Sequence, residues 1–147
     1  MNTPHETDFP LFELIAEFRA NLRRTVSSIL HNNMSVLSLE MAEIIICLGK
    51  NGKLSQQEVA QLTLKDKASV SRLVKKLTGL NLINIELPGS DHRLKLLQLT
   101  PDGNSVYQRL SAAVSDVYEK IRIQLTPGEY TFLIEVIRKL AHNVNIC

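Results

Sequence analysis

The segment Asp66-Lys67-Ala68-Ser69-Val70-Ser71-Arg72-Leu73-Val74-Lys75-Lys76-Leu77 has two unlike faces. Val70, Leu73, Val74 and Leu77 follow the i, i+3, i+4, i+7 spacing of one buried helix stripe. Asp66 stands where a capping carboxylate would accept the first free amides. Turning about 100° per residue, Ala68, Ser71, Arg72, Lys75 and Lys76 fall on the opposite side, with Lys67 and Ser69 near its edge and its N-terminus. That face holds three cations, small residues toward its N-terminal end and no carboxylate. A solvated helix normally mixes both signs. Small residues let a backbone approach base edges, and Arg72 can donate two hydrogen bonds to a guanine. Lys75 and Lys76 can reach phosphates. The composition is that of a recognition helix for a DNA major groove. The bland alternative is a basic, solvated surface helix.

Working outward, Ser55-Gln56-Gln57-Glu58 is a capping box that opens a short helix with Val59, Ala60 and Leu62 inside. Leu54 before it either staples onto Val59 or forms a scrap of strand. Further upstream, Ser38 caps a helix from Leu39 to about Leu48, bracketed at its stop by Gly49 and Gly52. Downstream, Gly79 or Asn81 supplies a left-handed terminal residue. The period then changes to 2. Ile83, Ile85 and Leu87 alternate with Asn84 and Glu86, and Lys95 to Leu99 forms a second strand with Leu97 and Leu99 on one face. The loop between them, Pro88 to Leu94, is polar and turn-rich. Asp91 lies two residues before Arg93 and can orient its guanidinium, so that an extended tip enters a narrow minor groove. Alternatively the pair only stiffens the loop, which contributes about 0–1 kcal/mol.

The ends of the chain are amphipathic. Phe9 to Leu30 carries a stripe of Phe12, Ile15, Ala16, Leu22, Val26, Ile29 and Leu30, closed by His31-Asn32-Asn33. Thr100-Pro101 starts a helix that runs to about Leu125. Thr126-Pro127-Gly128-Glu129 starts another with a full capping box, followed by Tyr130, Leu133, Ile134, Ile137, Leu140, Ala141 and Val144. These stripes are longer than one small lobe can cover, so they ask for a partner. A two-fold dimer is the simplest closed solution and doubles the recognition element. The alternative is arms packed only on their own lobe.

Composition agrees with a globular chain. Of 147 residues, 44% are hydrophobic and 22% charged, enough for a core and unlike a disordered segment. The net charge of +2 is unevenly spread. Residues 1–49 carry −3, residues 50–99 carry nine cations against four carboxylates, and residues 100–147 balance. A basic middle third suggests a polyanion-facing segment. The longest apolar run, Ile44 to Leu48, has five residues, whereas a membrane span needs roughly 20. The first eight residues lack a basic head and apolar region, so a cytoplasmic chain with Cys47 and Cys147 reduced is expected.

With these features in place, the sequence from Asp66 to Leu77, then Leu82-Ile83, then Asp91-His92-Arg93, then Leu99-Thr100-Pro101-Asp102-Gly103 resembles the MarR family of bacterial winged-helix transcription regulators. The motif-level match spans Leu54 to Gly103, and the order of elements matches from about Phe9 to Val144. The resemblance implies a mainly α fold with a small antiparallel β wing: a winged helix-turn-helix lobe at about 38–100, flanked by dimerisation helices at about 9–31 and 101–145. Residues 1–8 are expected to be a flexible N-terminus and 9–147 a single regulator domain. It also implies a homodimer on a pseudo-palindromic operator in double-stranded DNA, acting mainly as a repressor, released in many members by an aromatic or lipophilic effector. Carried over by position, Ala68, Ser69, Ser71 and Arg72 would face bases or nearby phosphates. Arg93 would enter the minor groove. Lys67, Lys75 and Lys76 complete the expected helix contacts. Asp91, His92 and Lys95 complete those of the wing, and Ser55 and Gln56 support the DNA backbone. Asn81 stands where the family often has glycine, and asparagine also tolerates the left-handed turn. His92 replaces a common second arginine, which weakens one phosphate contact or makes it pH-sensitive.

Enzymatic chemistry finds little to stand on. His5, His31, His92 and His142 are scattered, and no C-x-x-C pair or glycine-rich phosphate loop occurs. No catalytic residue, cofactor or metal is expected, and Cys47 reads as a small buried hydrophobe. Two rival classes share parts of the pattern: a winged-helix module that docks an acidic protein partner, and a helical small-molecule binder without a DNA role.

Overall fold

A computed structural model describes residues 10–87, 89 and 95–143, apart from the side chain of Asn33. Its elements are α1 (Pro10–Asn33), α2 (Leu39–Asn51), β1 (Leu54–Ser55), α3 (Gln56–Thr63), α4 (Lys67–Gly79), β2 (Ile83–Glu86), β3 (Leu96–Leu99), α5 (Pro101–Arg122) and α6 (Pro127–Asn143). The fold is mostly helical with one small antiparallel sheet, as expected. Contacts divide the chain into two compact units, 1–110 and 111–147, with the boundary inside α5.

The first unit is built around α2. Its residues Met41, Ala42, Ile44, Ile45, Cys47 and Leu48 are all buried, because the strip from 41 to 48 is apolar on nearly every side. Around it close Val59 of α3, Val70, Val74 and Leu77 of α4, Ile83 of β2 and Leu97 of β3. Leu30 enters from the end of α1 and Leu110 from α5. Each such side chain contributes about 1.5–3 kcal/mol on burial. Ser38 caps α2 by accepting the amide of Met41 at 3.3 Å. At α3, Ser55 Oγ accepts the amide of Glu58 at 3.2 Å, and Glu58 Oε2 accepts the amide of Ser55 at 2.7 Å. Leu54 does form a scrap of strand.

The sheet order is β1-β3-β2, so β3 is central. Leu54, Leu97 and Ile85 form one row across it. Leu97 is fully buried, whereas Ile85 and Leu87 are 42% and 48% exposed. Sequence alternation would put both inside. They remain half-exposed because the β2 end of the wing is an edge that no described residue of this unit covers.

Three helix ends move. α1 continues through His31-Asn32 to Asn33, and Met34 N donates to Leu30 O at 2.7 Å. α5 stops at Arg122 rather than near Leu125, and Ile123 and Leu125 follow in a closing turn. α2 runs through Gly49 to Asn51 and ends at Gly52, where φ is +77°. Gly49 does not break the helix. A Cβ there would lie 2.3 Å from Cδ2 of Tyr107, so glycine admits the tyrosine ring of α5 against α2.

The corner after α4 explains the Leu99-Thr100-Pro101-Asp102-Gly103 stretch. Asn81, not Gly79, takes the left-handed conformation, with φ +56°. Thr100 Oγ1 donates to Asn81 O at 2.6 Å and accepts the amide of Gly103 at 2.9 Å. Asn81 Nδ2 donates to Asp102 Oδ2 at 3.1 Å. A Cβ on Gly103 would sit 1.9 Å from Leu82 O. This stretch is therefore a latch between the α4–β2 corner and the start of α5.

The second unit holds the rest of α5 and α6. Thr126 Oγ1 accepts the amide of Glu129 at 3.3 Å, and Glu129 Oε2 accepts the amide of Thr126 at 2.8 Å, the expected capping box. No residue of α6 is buried within the chain. No described helix is long and apolar enough to cross a membrane.

Candidate nucleic-acid interface

Helices α3 and α4 form the helix-turn-helix pair, and the turn between them is set by its backbone. Leu64 caps α3 in the left-handed region, with φ +53°, and is 94% exposed. Lys65 N donates to Ala60 O at 3.0 Å. Asp66 then caps α4: its Oδ1 accepts the amide of Ser69 at 2.8 Å, and its Oδ2 accepts the Ser69 hydroxyl at 2.6 Å. Those two hydrogen bonds, with the Arg72 charge nearby, hold the Asp66 carboxyl below its ordinary value.

The outward face of α4 is laid out as its spacing requires. Lys67, Ala68, Ser71, Arg72, Lys75 and Lys76 are exposed, Ser69 is half-buried, and Val70, Val74 and Leu77 lie in the core. No carboxylate occurs from Lys67 to Gly79. Arg72 Nη2 donates to Ser69 Oγ at 3.1 Å, so the guanidinium is oriented by the residue that Asp66 fixes. Lys67, Lys75 and Lys76 make no ion pair with any described residue. An open groove of about 850 Å³ runs along this side of α4, lined among others by Leu64, Asp66, Ser69, Arg72, Leu73 and Lys76.

The remaining sequence candidates divide. Lys95 is exposed at the base of the wing. Asp91, His92 and Arg93 lie outside the described residues. Ser55 and Gln56 are half-buried at the start of α3. The Ser55 hydroxyl is engaged in the cap, donating to Glu58 Oε2 at 2.8 Å. Two further ionic features had no sequence signal, because their partners are far apart in the chain. Lys53 pairs with Glu86 across the sheet base, and Lys65 pairs with Glu43 of α2. Cys47 is buried, and burial pushes its thiol above the ordinary value, which makes it a poor nucleophile.

A capped helix pair beside a three-stranded sheet, two of whose strands follow the pair, with a carboxylate-free basic face on the second helix, defines a winged helix-turn-helix protein. Comparison with known proteins shows what the chain is similar to. A model of the MarR family matches residues 42–94. The HTH-type transcriptional regulator TcaR of Staphylococcus aureus is 26% identical over 136 residues, covering 90% of this chain and 89% of TcaR. The fold of MepR from S. aureus, solved in complex with DNA, superposes with a TM-score of 0.83 at 18% identity, over 94% of this chain and 100% of that one. NadR, solved in complex with 4-hydroxyphenylacetate, superposes with a TM-score of 0.77 at 25% identity, over 96% and 98%. The chain is thus similar to MarR-family winged-helix regulators, by the family model over residues 42–94 and by fold over most of its length.

Proposed function

We propose that the protein is a homodimeric, sequence-specific regulator that binds double-stranded DNA, acting as a cytoplasmic repressor by covering a promoter at a pseudo-palindromic operator. One observation carries the reading: the outward face of α4 joins Arg72, Lys75 and Lys76 to small residues with no carboxylate among them. Arg72 reads a base edge, Ala68, Ser69 and Ser71 admit close approach, and Lys67, Lys75 and Lys76 contact phosphates. Arg93 at the wing tip, helped by Asp91 and His92, occupies the minor groove, with Lys95 on the flanking backbone. Ser55 and Gln56 support the backbone beside α3. The protein is not an enzyme. A small aromatic or lipophilic molecule releases the DNA, by analogy with the 4-hydroxyphenylacetate held by NadR.

The test is fluorescence anisotropy with a duplex that the protein enriches from a randomised pool. Log K falls against log[salt] with a slope of roughly −0.9 per phosphate neutralised. Arg72→Ala loses about 1–3 kcal/mol of discrimination between that duplex and a scrambled one. Affinity indifferent to salt, or an Arg72→Ala protein that discriminates like the parent, overturns the assignment. Aromatic acids added to the same assay identify the effector class.

A further inference from the structure

Lys65 sits at the mouth of the DNA-facing groove, yet its charge is turned inward. Its side chain is only 15% exposed, and its Nζ pairs with Glu43 Oε2 of α2. The other oxygen of Glu43 lies 3.6 Å from Arg23 Nη1 of α1, and Arg23 Nη2 lies 3.0 Å from Glu40 Oε1. The four charges alternate in sign across α1, α2 and the α3–α4 turn, and cancel. Lys65 is covalently next to Asp66, the α4 cap. Asp66 holds Ser69, and Ser69 Oγ holds Arg72. A line of polar contacts, bridged by the Lys65–Asp66 peptide link, thus joins the arm helix α1 to the arginine at the centre of the basic face. Isolated exposed pairs contribute little, but this one pins a turn that otherwise carries a left-handed Leu64 with no side-chain burial.

We propose that Lys65 and Glu43 are positioning residues: their ion pair anchors the α3–α4 turn to α2 and so aims Arg72, rather than Lys65 serving as a phosphate contact. The proposal rests on the DNA-binding reading, and the anchor and phosphate-contact roles of Lys65 make opposite predictions at one residue. If Lys65 served phosphates, Glu43→Gln would remove a negative charge, free the lysine and tighten binding. As an anchor, Glu43→Gln loosens the turn and weakens binding to the specific duplex.

The full-length protein is titrated against the duplex enriched by the parent and against a scrambled duplex of the same composition. Lys65→Met and Glu43→Gln each weaken the enriched duplex by roughly three- to tenfold, with the double variant no worse than either. Binding to the scrambled duplex and the salt slope stay unchanged, and Lys65→Arg restores affinity. In an Arg72→Ala background both substitutions become silent, which general destabilisation would not produce. Tighter binding by Glu43→Gln overturns the proposal. So does a Lys65→Met protein that weakens on both duplexes equally with a shallower salt slope. Amide exchange without DNA separates the two readings. Both variants accelerate exchange of the Ser69 and Val70 amides by roughly threefold or more, and unchanged exchange overturns the anchor. A parent that enriches no duplex overturns the DNA reading instead, leaving the anchor to be judged by exchange.

Discussion

At the scale of single residues, glycines report where two backbones meet. Gly103 is buried, and a Cβ there would overlap Leu82 O at 1.9 Å, a backbone atom that cannot rotate away. Gly103→Ala therefore forces the α4–β2 corner off the start of α5 and breaks the Thr100 hydroxyl's contact with the Gly103 amide. The expected loss is about 1–3 kcal/mol, typical of overpacking, read as a lower midpoint in urea unfolding. An unchanged midpoint would show that α5 can shift freely. At Gly49 the clashing group is instead a side chain, the Tyr107 ring, which is itself packed against the core. The sequence revealed Gly103 only as part of a motif. Its physical cause, contact with a carbonyl more than twenty positions away, could not be read from spacing.

At the scale of elements, the helix starts share one electrostatic device. Glu40 and Glu58 lie in the first turns of α2 and α3, Asp66 caps α4, and Glu129 lies in the first turn of α6. Each is held below its ordinary value mainly by hydrogen bonds from nearby donors: for Glu40 its own backbone amide, for Glu58 the Ser55 amide, for Asp66 the Ser69 hydroxyl, for Glu129 the Thr126 amide. A folded value below the unfolded one gives stability that is complete above the unfolded pKa and lost as pH falls through the folded one. The ordinary values are 4.5 for Glu and 3.8 for Asp. Thermal melting should thus be flat from neutral pH to about pH 5.5 and fall below about pH 4.5. A Glu58→Gln, Glu129→Gln protein should show a shallower acid loss. An equally steep loss in that variant would assign the acid sensitivity elsewhere. The caps at α3, α4 and α6 were legible in the sequence because donor and acceptor lie three residues apart. Helix lengths were less so: α2 passes through Gly49 because an aromatic ring from α5 needs the space.

At the scale of the whole molecule, the exposed apolar faces await a partner. In α1, Leu11, Leu14, Ile15 and Phe18 are 40–62% exposed, and in α6 Phe132, Leu133, Ile134 and Ile137 are exposed as well. Such faces are costly in water, and a second copy of the chain is the proposed cover. Sedimentation should give a mass near twice 16.5 kDa. Phe18→Asp or Leu133→Asp should shift it toward the monomer and weaken binding to a two-half-site duplex far more than to one half-site. A parent that sediments at the single-chain mass would remove the dimer from the proposal.

Everything that depends on neighbours along the chain was settled by the amino-acid order: the 3.6-residue stripes, the change to period 2 after Asn81, the capping boxes and the carboxylate-free face of α4. Backbone hydrogen bonding and helix periodicity act over a few residues, so their signals sit side by side in the sequence. Contacts between distant residues were decided only by folding. The chain's own spacing gave no reason to pair Lys65 with Glu43 or to set Gly103 against Leu82. Nor could it show that β3 takes the centre of the sheet while Ile85 stays at an edge. Those pairings depend on how the helices pack around α2, and packing selects partners by shape and burial rather than by distance along the chain.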